Sequence, residues 1–273
     1  MKAELSAWLI SSAEKLRSGV KDELDIKKLL DGFGIRVISE SSNKRSGALA
    51  QDSDGKWLVI VRGQRRDKNL TTVDRFTAAH ELGHYLLQKH WRFSPSFADK
   101  KNYYDCESLC NQFAAHLLVD YDLVSKLLIV SPKMCLGIIR DLAKRYSVSI
   151  DVISRAILEV HPGIGICAFT KGLDGRVNRL WGLSSLNGIS PRYSRKNVTA
   201  KSIHEEVIAW SKSLLGEKNR VQLDFASEST GPLKSVSCDD NSVVKDKDNS
   251  ENSYYFFSKV ELAVVMIKPP VDV

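Results

Sequence analysis

Three histidines and one glutamate fall within eleven residues of this 273-residue chain: His80, Glu81, His84 and His90, in "HELGHYLLQKH". His80 and His84 bracket Glu81 in the pattern HExxH. Residues four apart on a helix lie about 40° apart around its axis and one turn apart along it. Both imidazoles can therefore aim at one cation, with Glu81 on the flank of the same face. A divalent ion held there lowers the pKa of a water to about 7, and Glu81 can take the proton. This is the chemistry of metal-assisted peptide hydrolysis. A catalytic centre of this kind needs a third protein ligand and an open position.

Two residues compete for the third place. His90 stands where HExxHxxGxxH puts its last histidine, but that pattern turns the chain back at a glycine, and here Leu87 occupies the position. "HYLLQKH" favours continued helix, which would point His90 about 120° away from His84. His90 then reads as a partly exposed bystander. Glu107, in "YDCESLCNQFAAHLL", is the stronger candidate, against the plain alternative of a solvated helix carboxylate. Asn111 lies one turn later, and its side-chain oxygen could accept the free N–H of a ligating imidazole. Cys106 and Cys110 flank Glu107 at helical spacing; a thiol pair or metal capture is open to them, with small buried hydrophobes the favoured reading. Tyr103 and Tyr104 are candidates to stabilise an oxyanion on proximity alone, and core or loop aromatics is the reading favoured for them.

"FTAAHELGHYLL" followed by "ESLCNQFAAHLL" resembles the ImmA/IrrE family of metallopeptidases, which pair an HELGH helix with a downstream E-x-x-x-N-x-F-A-A-x-L-L helix. The resemblance covers about the first 130 residues. It implies a compact zincin-like domain with His80, His84 and Glu107 as ligands and Glu81 as general base. It also implies a helix-turn-helix transcriptional repressor as substrate, cut during a stress or mobile-element response. The chain departs from the family at His116, where an acidic residue is common, and at Val119-Asp120, where "MP" is common. Both positions bear on substrate fit more than on metal binding. His116 lies about 180° around the helix from Glu107 and reads as a packing or surface residue.

The elements that must carry these residues follow from periodicity. Helices are predicted over 3–17, 22–32, 70–90, 104–119 and 123–129, with Thr72 and Asp74 as candidate N-caps of the third. "IRVISE" reads as a strand, and "GALAQDSDGKWLVIVRG" as a hairpin turning at Asp54-Gly55. "MCLGIIRDLAKRYSVSIDVISRAILEV" reads as two helices broken at "YSVSI" with Ser149 as an N-cap, like a helix-turn-helix. Strands follow at "GICAFT", "VNRLWGLSS", "RVQLDFA" and "YYFFSKVELAVVMI", with a helix over 199–215 and a polar loop over 237–253. The expected class is α+β: a zincin-like domain at 1–130, a helix-turn-helix-like segment at 131–161, and a mixed α/β region at 162–273. By resemblance to the IrrE branch, that last region is GAF-like and regulatory.

Composition narrows the function. A net charge of +7 and a pI near 9.1 admit an acidic partner such as nucleic acid. The second helix of the pair, "SIDVISRAILEV", is mostly apolar and offers few polar residues for reading bases, so direct DNA binding is the less favoured expectation. Five cysteines form no tight framework, and no apolar run approaches the roughly 20 residues that span a bilayer, so a cytoplasmic protein without membrane contact is expected. The leading expectation is a metal-dependent endopeptidase acting on a protein substrate. Two imidazoles, a carboxylate and a water favour zinc, and manganese would accept the same donors. The alternative is a non-enzymatic regulator that binds DNA or a repressor and keeps its metal for structure.

Overall fold

A computed structural model of the chain describes residues 2–40, 47–62, 70–91, 100–130, 132–161, 163–171, 177–184, 199–200, 222–227, 236–237 and 260–268. The class is mixed α+β. The chain divides into two compact units, residues 1–124 with 142–156, and residues 125–141 with 157–273.

The first unit opens with helix α1 (Lys2–Arg17), whose Leu5, Leu9 and Ala13 recur every four residues and are fully buried. Helix α2 (Ile26–Gly32) is capped by Asp25, which accepts from the Lys28 backbone N–H. Strands β1 (Arg36–Ser39), β2 (Gly47–Gln51) and β3 (Trp57–Val61) form a sheet in the order β1-β3-β2. β1 pairs with β3 in parallel. β2 and β3 form the expected antiparallel hairpin, with Gly55 in its turn at φ 76°. Val59 and Val61 put the β-branched face of β3 into the core.

Two long helices follow, α3 (Thr72–Trp91) and α4 (Lys100–Leu118). α3 starts at Thr72 rather than at residue 70, and its cap lies one residue before the first candidate. Thr71 is the cap: its Oγ1 accepts from the Asp74 N–H at 3.1 Å, while the Asp74 carboxylate accepts from the Thr71 N–H and hydroxyl. Asp74 is therefore the answering partner of a capping box, and Thr72 is already helical. The buried stripe of α3 is Ala78, Ala79, Leu82, Tyr85, Leu86 and Leu87; that of α4 includes Cys106, Cys110, Phe113 and Leu117. They meet at Gly83, where a Cβ would lie 3.2 Å from Phe113 Cδ1 and 3.3 Å from the Cα and Cβ of Cys110. Arg17 closes the far end of α4, donating to the carbonyls of Leu117 and Leu118 that have no partner within the helix.

The short helix α5 (Tyr121–Lys126) precedes α6 (Pro132–Tyr146) and α7 (Ile150–Val160). The break between α6 and α7 falls where expected. Ser147 takes φ 50° and the Ser149 side chain accepts from the Val152 N–H. Arg75, on α3, donates to the Ser147 carbonyl and pairs with Glu23.

The second unit contains a six-stranded antiparallel sheet in the order β6-β5-β4-β9-β7-β8. Its strands are β4 (Ile164–Lys171), β5 (Val177–Ser184), β6 (Thr199–Ala200), β7 (Gln222–Ser227), β8 (Val236–Ser237) and β9 (Val260–Lys268). The helix expected over 199–215 instead begins as strand β6, paired to Val177 and Asn178; the rest of that helix lies outside the described residues. So does the polar loop beyond Ser237. Among the described residues no helix is long and apolar enough to cross a membrane.

The contact at Gly83 carries the first prediction. Gly83→Val should lower the stability of the metal-free protein by about 1–3 kcal/mol, the usual cost of overpacking, measured by denaturant unfolding. An unchanged unfolding midpoint would show that α3 and α4 do not need this close approach.

Candidate metal centre

The packing of α3 on α4 brings together side chains that are 23 or more residues apart in sequence. His80 and His84 leave α3 one turn apart, as HExxH requires, and their Nε2 atoms are 3.0 Å apart. Glu107, projecting from α4, reaches both: Oε2 is 3.3 Å from His80 Nε2 and Oε1 is 3.2 Å from His84 Nε2. An ion bound tetrahedrally at about 2.0–2.1 Å from nitrogen and oxygen donors sets donor–donor edges of about 3.3 Å. The three contacts lie near that length, with Glu107 meeting each histidine through a different oxygen, and the donors, two imidazoles and a carboxylate, are those that zinc takes. Their side chains are 12%, 23% and 30% exposed, so the cluster keeps one face towards solvent.

The orientation of His80 is fixed from behind. Its Nδ1 lies 2.9 Å from Asn111 Oδ1. An amide oxygen can only accept, so the proton sits on Nδ1 and the Nε2 lone pair is turned into the cluster. The separation Glu107 to Asn111 is one helical turn, which places both side chains on the face that meets α3.

Protons and cations must compete for this cluster. Burial works to lower the pKa of His84, but hydrogen bonds to Cys106 and Glu107 outweigh it and push His84 up to about 10. The adjacent His80 and His84 imidazoles hold Glu107 well below the usual carboxylate range, against the opposing effect of burial. The two shifts run in the directions that pairing of His84 with Glu107 requires.

Glu81 is 8% exposed, and burial raises its pKa above the ordinary value, with the Glu107 carboxylate adding to the effect. A hydrogen bond from the Leu49 backbone on β2 partly offsets this. The hairpin thus lies directly against the glutamate of HExxH. Gly47 makes that approach possible: a Cβ there would collide with Thr77 Cγ2 and lie 3.3 Å from Glu81 Oε1. Nothing in the spacing of the sequence points to Leu49 or Gly47, because their approach depends on a long-range strand–helix contact.

The remaining candidates fall elsewhere. His90 is exposed at the end of α3 and its ring lies 5.5 Å from that of Trp8 on α1. His116 is 6% exposed and stacks on Tyr121 at 3.7 Å, a packing role. Tyr104 is 67% exposed, and its ring meets that of Tyr103 edge-on at 5.7 Å. Cys106 and Cys110 are buried, as small hydrophobes would be, but Cys106 Sγ also lies 3.6 Å from His84 Nδ1.

Residues 30–158 match the family model of the IrrE N-terminal-like domain, which supports an ImmA/IrrE assignment for that part of the chain. That family is one of peptidases and implies a metal ion at a centre of this kind. No curated protein matches the chain. Among solved structures, a Mycobacterium tuberculosis transcriptional regulator is similar over 95% of this chain and 76% of its own, at 13% identity and a TM-score of 0.44.

Because a cation must displace the His84 proton, zinc affinity should climb with pH by about tenfold per unit and level off near pH 10. A chelator-competition titration checks this, and a flat profile from pH 6.5 upward would contradict it. In the same assay His84→Ala should abolish binding while His90→Ala leaves it intact.

Proposed function

We propose that the chain is a metal-dependent endopeptidase that hydrolyses a peptide bond in a protein substrate. The observation that carries this reading is the convergence of His80, His84 and Glu107 on one point, with Glu81 buried beside them. Zinc fits these donors best, and manganese is admitted by them. A site kept only for structure is closed by four protein ligands, whereas these three donors are partly exposed. That difference favours the enzyme over a regulator with a structural metal.

When bound, the cation supplies Lewis acidity towards a water and the substrate carbonyl. The chain's own residues do the rest. Glu81 accepts the proton of the attacking water and returns it to the leaving amine. Its raised pKa, set by burial, suits both halves of that transfer. The Leu49 N–H holds one side of the carboxylate. Asn111 keeps the His80 lone pair directed at the centre. Glu107 neutralises one of the two cationic charges while leaving a net positive field for developing oxyanion charge.

The substrate class, a helix-turn-helix transcriptional repressor cut in a stress or mobile-element response, rests on the family resemblance. So does the GAF-like, regulatory reading of the sheet-containing region 162–273, with 1–130 as the peptidase domain and 131–161 as the helix-turn-helix-like segment. Direct DNA binding is not favoured: Arg145 pairs with Asp22 and Arg155 with Asp151, so two of the cations of the α6–α7 pair already have carboxylate partners within the chain. Cys106, Cys110, Cys135 and Cys167 are free thiols, which suits a reducing, cytoplasmic compartment.

The test incubates zinc-loaded protein with candidate repressors. Glu81→Gln should retain zinc and lose about 10²–10⁴-fold in cleavage rate, the usual contribution of a general base. Equal cleavage by the variant would remove Glu81 from the mechanism.

A further inference from the structure

The second histidine of the centre has a rear partner of its own. His84 uses Nε2 towards His80 and Glu107, at 3.0 and 3.2 Å, while its Nδ1 faces Cys106 Sγ at 3.6 Å. Cys106 is 1% exposed and immediately precedes Glu107 on α4. We propose that Cys106 is the positioning residue of His84: its sulfur accepts the Nδ1–H, fixes the tautomer, and turns the Nε2 lone pair towards the metal. The inference rests on the reading of His84 as a ligand.

Three observations carry it. First, the arrangement repeats the one at His80, where the acceptor is Asn111 Oδ1 at 2.9 Å from Nδ1. Both ligands would then be oriented by α4, through residues one before and four after Glu107. Second, Cys106 is itself held, by a side-chain hydrogen bond with Cys110 one turn on, so the acceptor sulfur is fixed relative to the helix. Third, Cys110 packs against Gly83, the residue just before His84. The thiol pair and the imidazole are thus located by the same helix–helix contact.

The same atoms admit a different use. His84, Cys106 and Cys110 offer donor atoms within 4.8 Å of one another, as a thiophilic ion would need. A neutral imidazole has one lone pair. Directing it from Nδ1 to a sulfur-bound ion would put the proton on Nε2 and remove His84 from the set with His80 and Glu107. The two uses exclude each other at neutral His84, and the 3.0 and 3.2 Å contacts of Nε2 with His80 and Glu107 favour the Nε2 assignment.

The experiment measures zinc affinity by competition with a chromophoric chelator, and the absorption spectrum of the cobalt-loaded full chain, for wild type, Cys106→Ala, Cys106→Ser and Cys135→Ala. Loss of an outer partner of a metal-bound histidine typically weakens binding roughly 10–100-fold. Cys106→Ala should show a loss of that size and an altered cobalt ligand-field band. Cys106→Ser should recover much of the affinity, because a hydroxyl oxygen also accepts from Nδ1–H. Cys135→Ala, which removes a buried thiol of α6, should match wild type. Zinc affinity unchanged in Cys106→Ala, with only metal-free thermal stability lowered, would overturn the proposal by making Cys106 a packing residue. Sulfur-to-cobalt charge-transfer absorption in wild type would overturn it by making Cys106 a ligand. Neither readout depends on cleavage. A wild type that binds zinc but cuts no substrate removes the peptidase reading alone, and one that binds no zinc removes both.

Discussion

Everything at the candidate centre depends on how closely α3 and α4 approach. Two histidines on one helix provide two donors; the carboxylate and the group that orients His80 belong to the other helix. At Gly83 the separation is already tighter than ordinary contact for a side chain that is not there, 3.2–3.3 Å from Phe113 and Cys110. An added Cβ would push α4 outward by a few tenths of an ångström, comparable to the tolerance of a metal–ligand bond. The buried faces on either side hold that distance in place: Ala78, Ala79 and Leu82 on α3, and Phe113, Ala114 and Leu117 on α4. Gly83 on α3 lies against Phe113 and Cys110 of α4, so the apolar packing and the site geometry share one helix–helix contact.

That contact places charges where they would otherwise repel or demand water. Glu107 is close enough to raise the cost of ionising Glu81, and both lie near two imidazoles. A cation resolves the conflict by balancing the carboxylates at once, and a proton on His84 does so only in part. Glu81 receives a further, independent support from the Leu49 N–H of β2. The hairpin therefore reaches Glu81 through its backbone, with Gly47 clearing the space for it.

Much of this could be read in the residues themselves. The pairing of His80 with His84 follows from helical period alone, and Glu107 with Asn111 repeats the same period on the next amphipathic segment. Leu87 in place of a glycine rightly separates His90 from the cluster: α3 continues through it and ends at Trp91. What the sequence hides is whatever depends on partners distant in the chain. Thr71, rather than Thr72 or Asp74, caps α3 because the Thr71–Asp74 reciprocity shows only in side-chain geometry. Leu49 and Gly47 are anonymous members of an apolar strand until the hairpin folds against Glu81. Cys106 reads as a small hydrophobe, and is buried like one, yet its sulfur faces an imidazole nitrogen. The stretch at Thr199 reads as helix by its composition, but pairing to β5 makes its first two residues a strand.

The central claim is that one cation is held jointly by two helices, and Glu107 is the donor that only the second helix supplies. Calorimetric titration of zinc into metal-free Glu107→Ala, beside wild type, tests it most directly. Wild type should show one tight site per chain and the variant an affinity lower by orders of magnitude, with α-helical content unchanged. Equal affinity in the two proteins would contradict it, because the metal would then be held without α4.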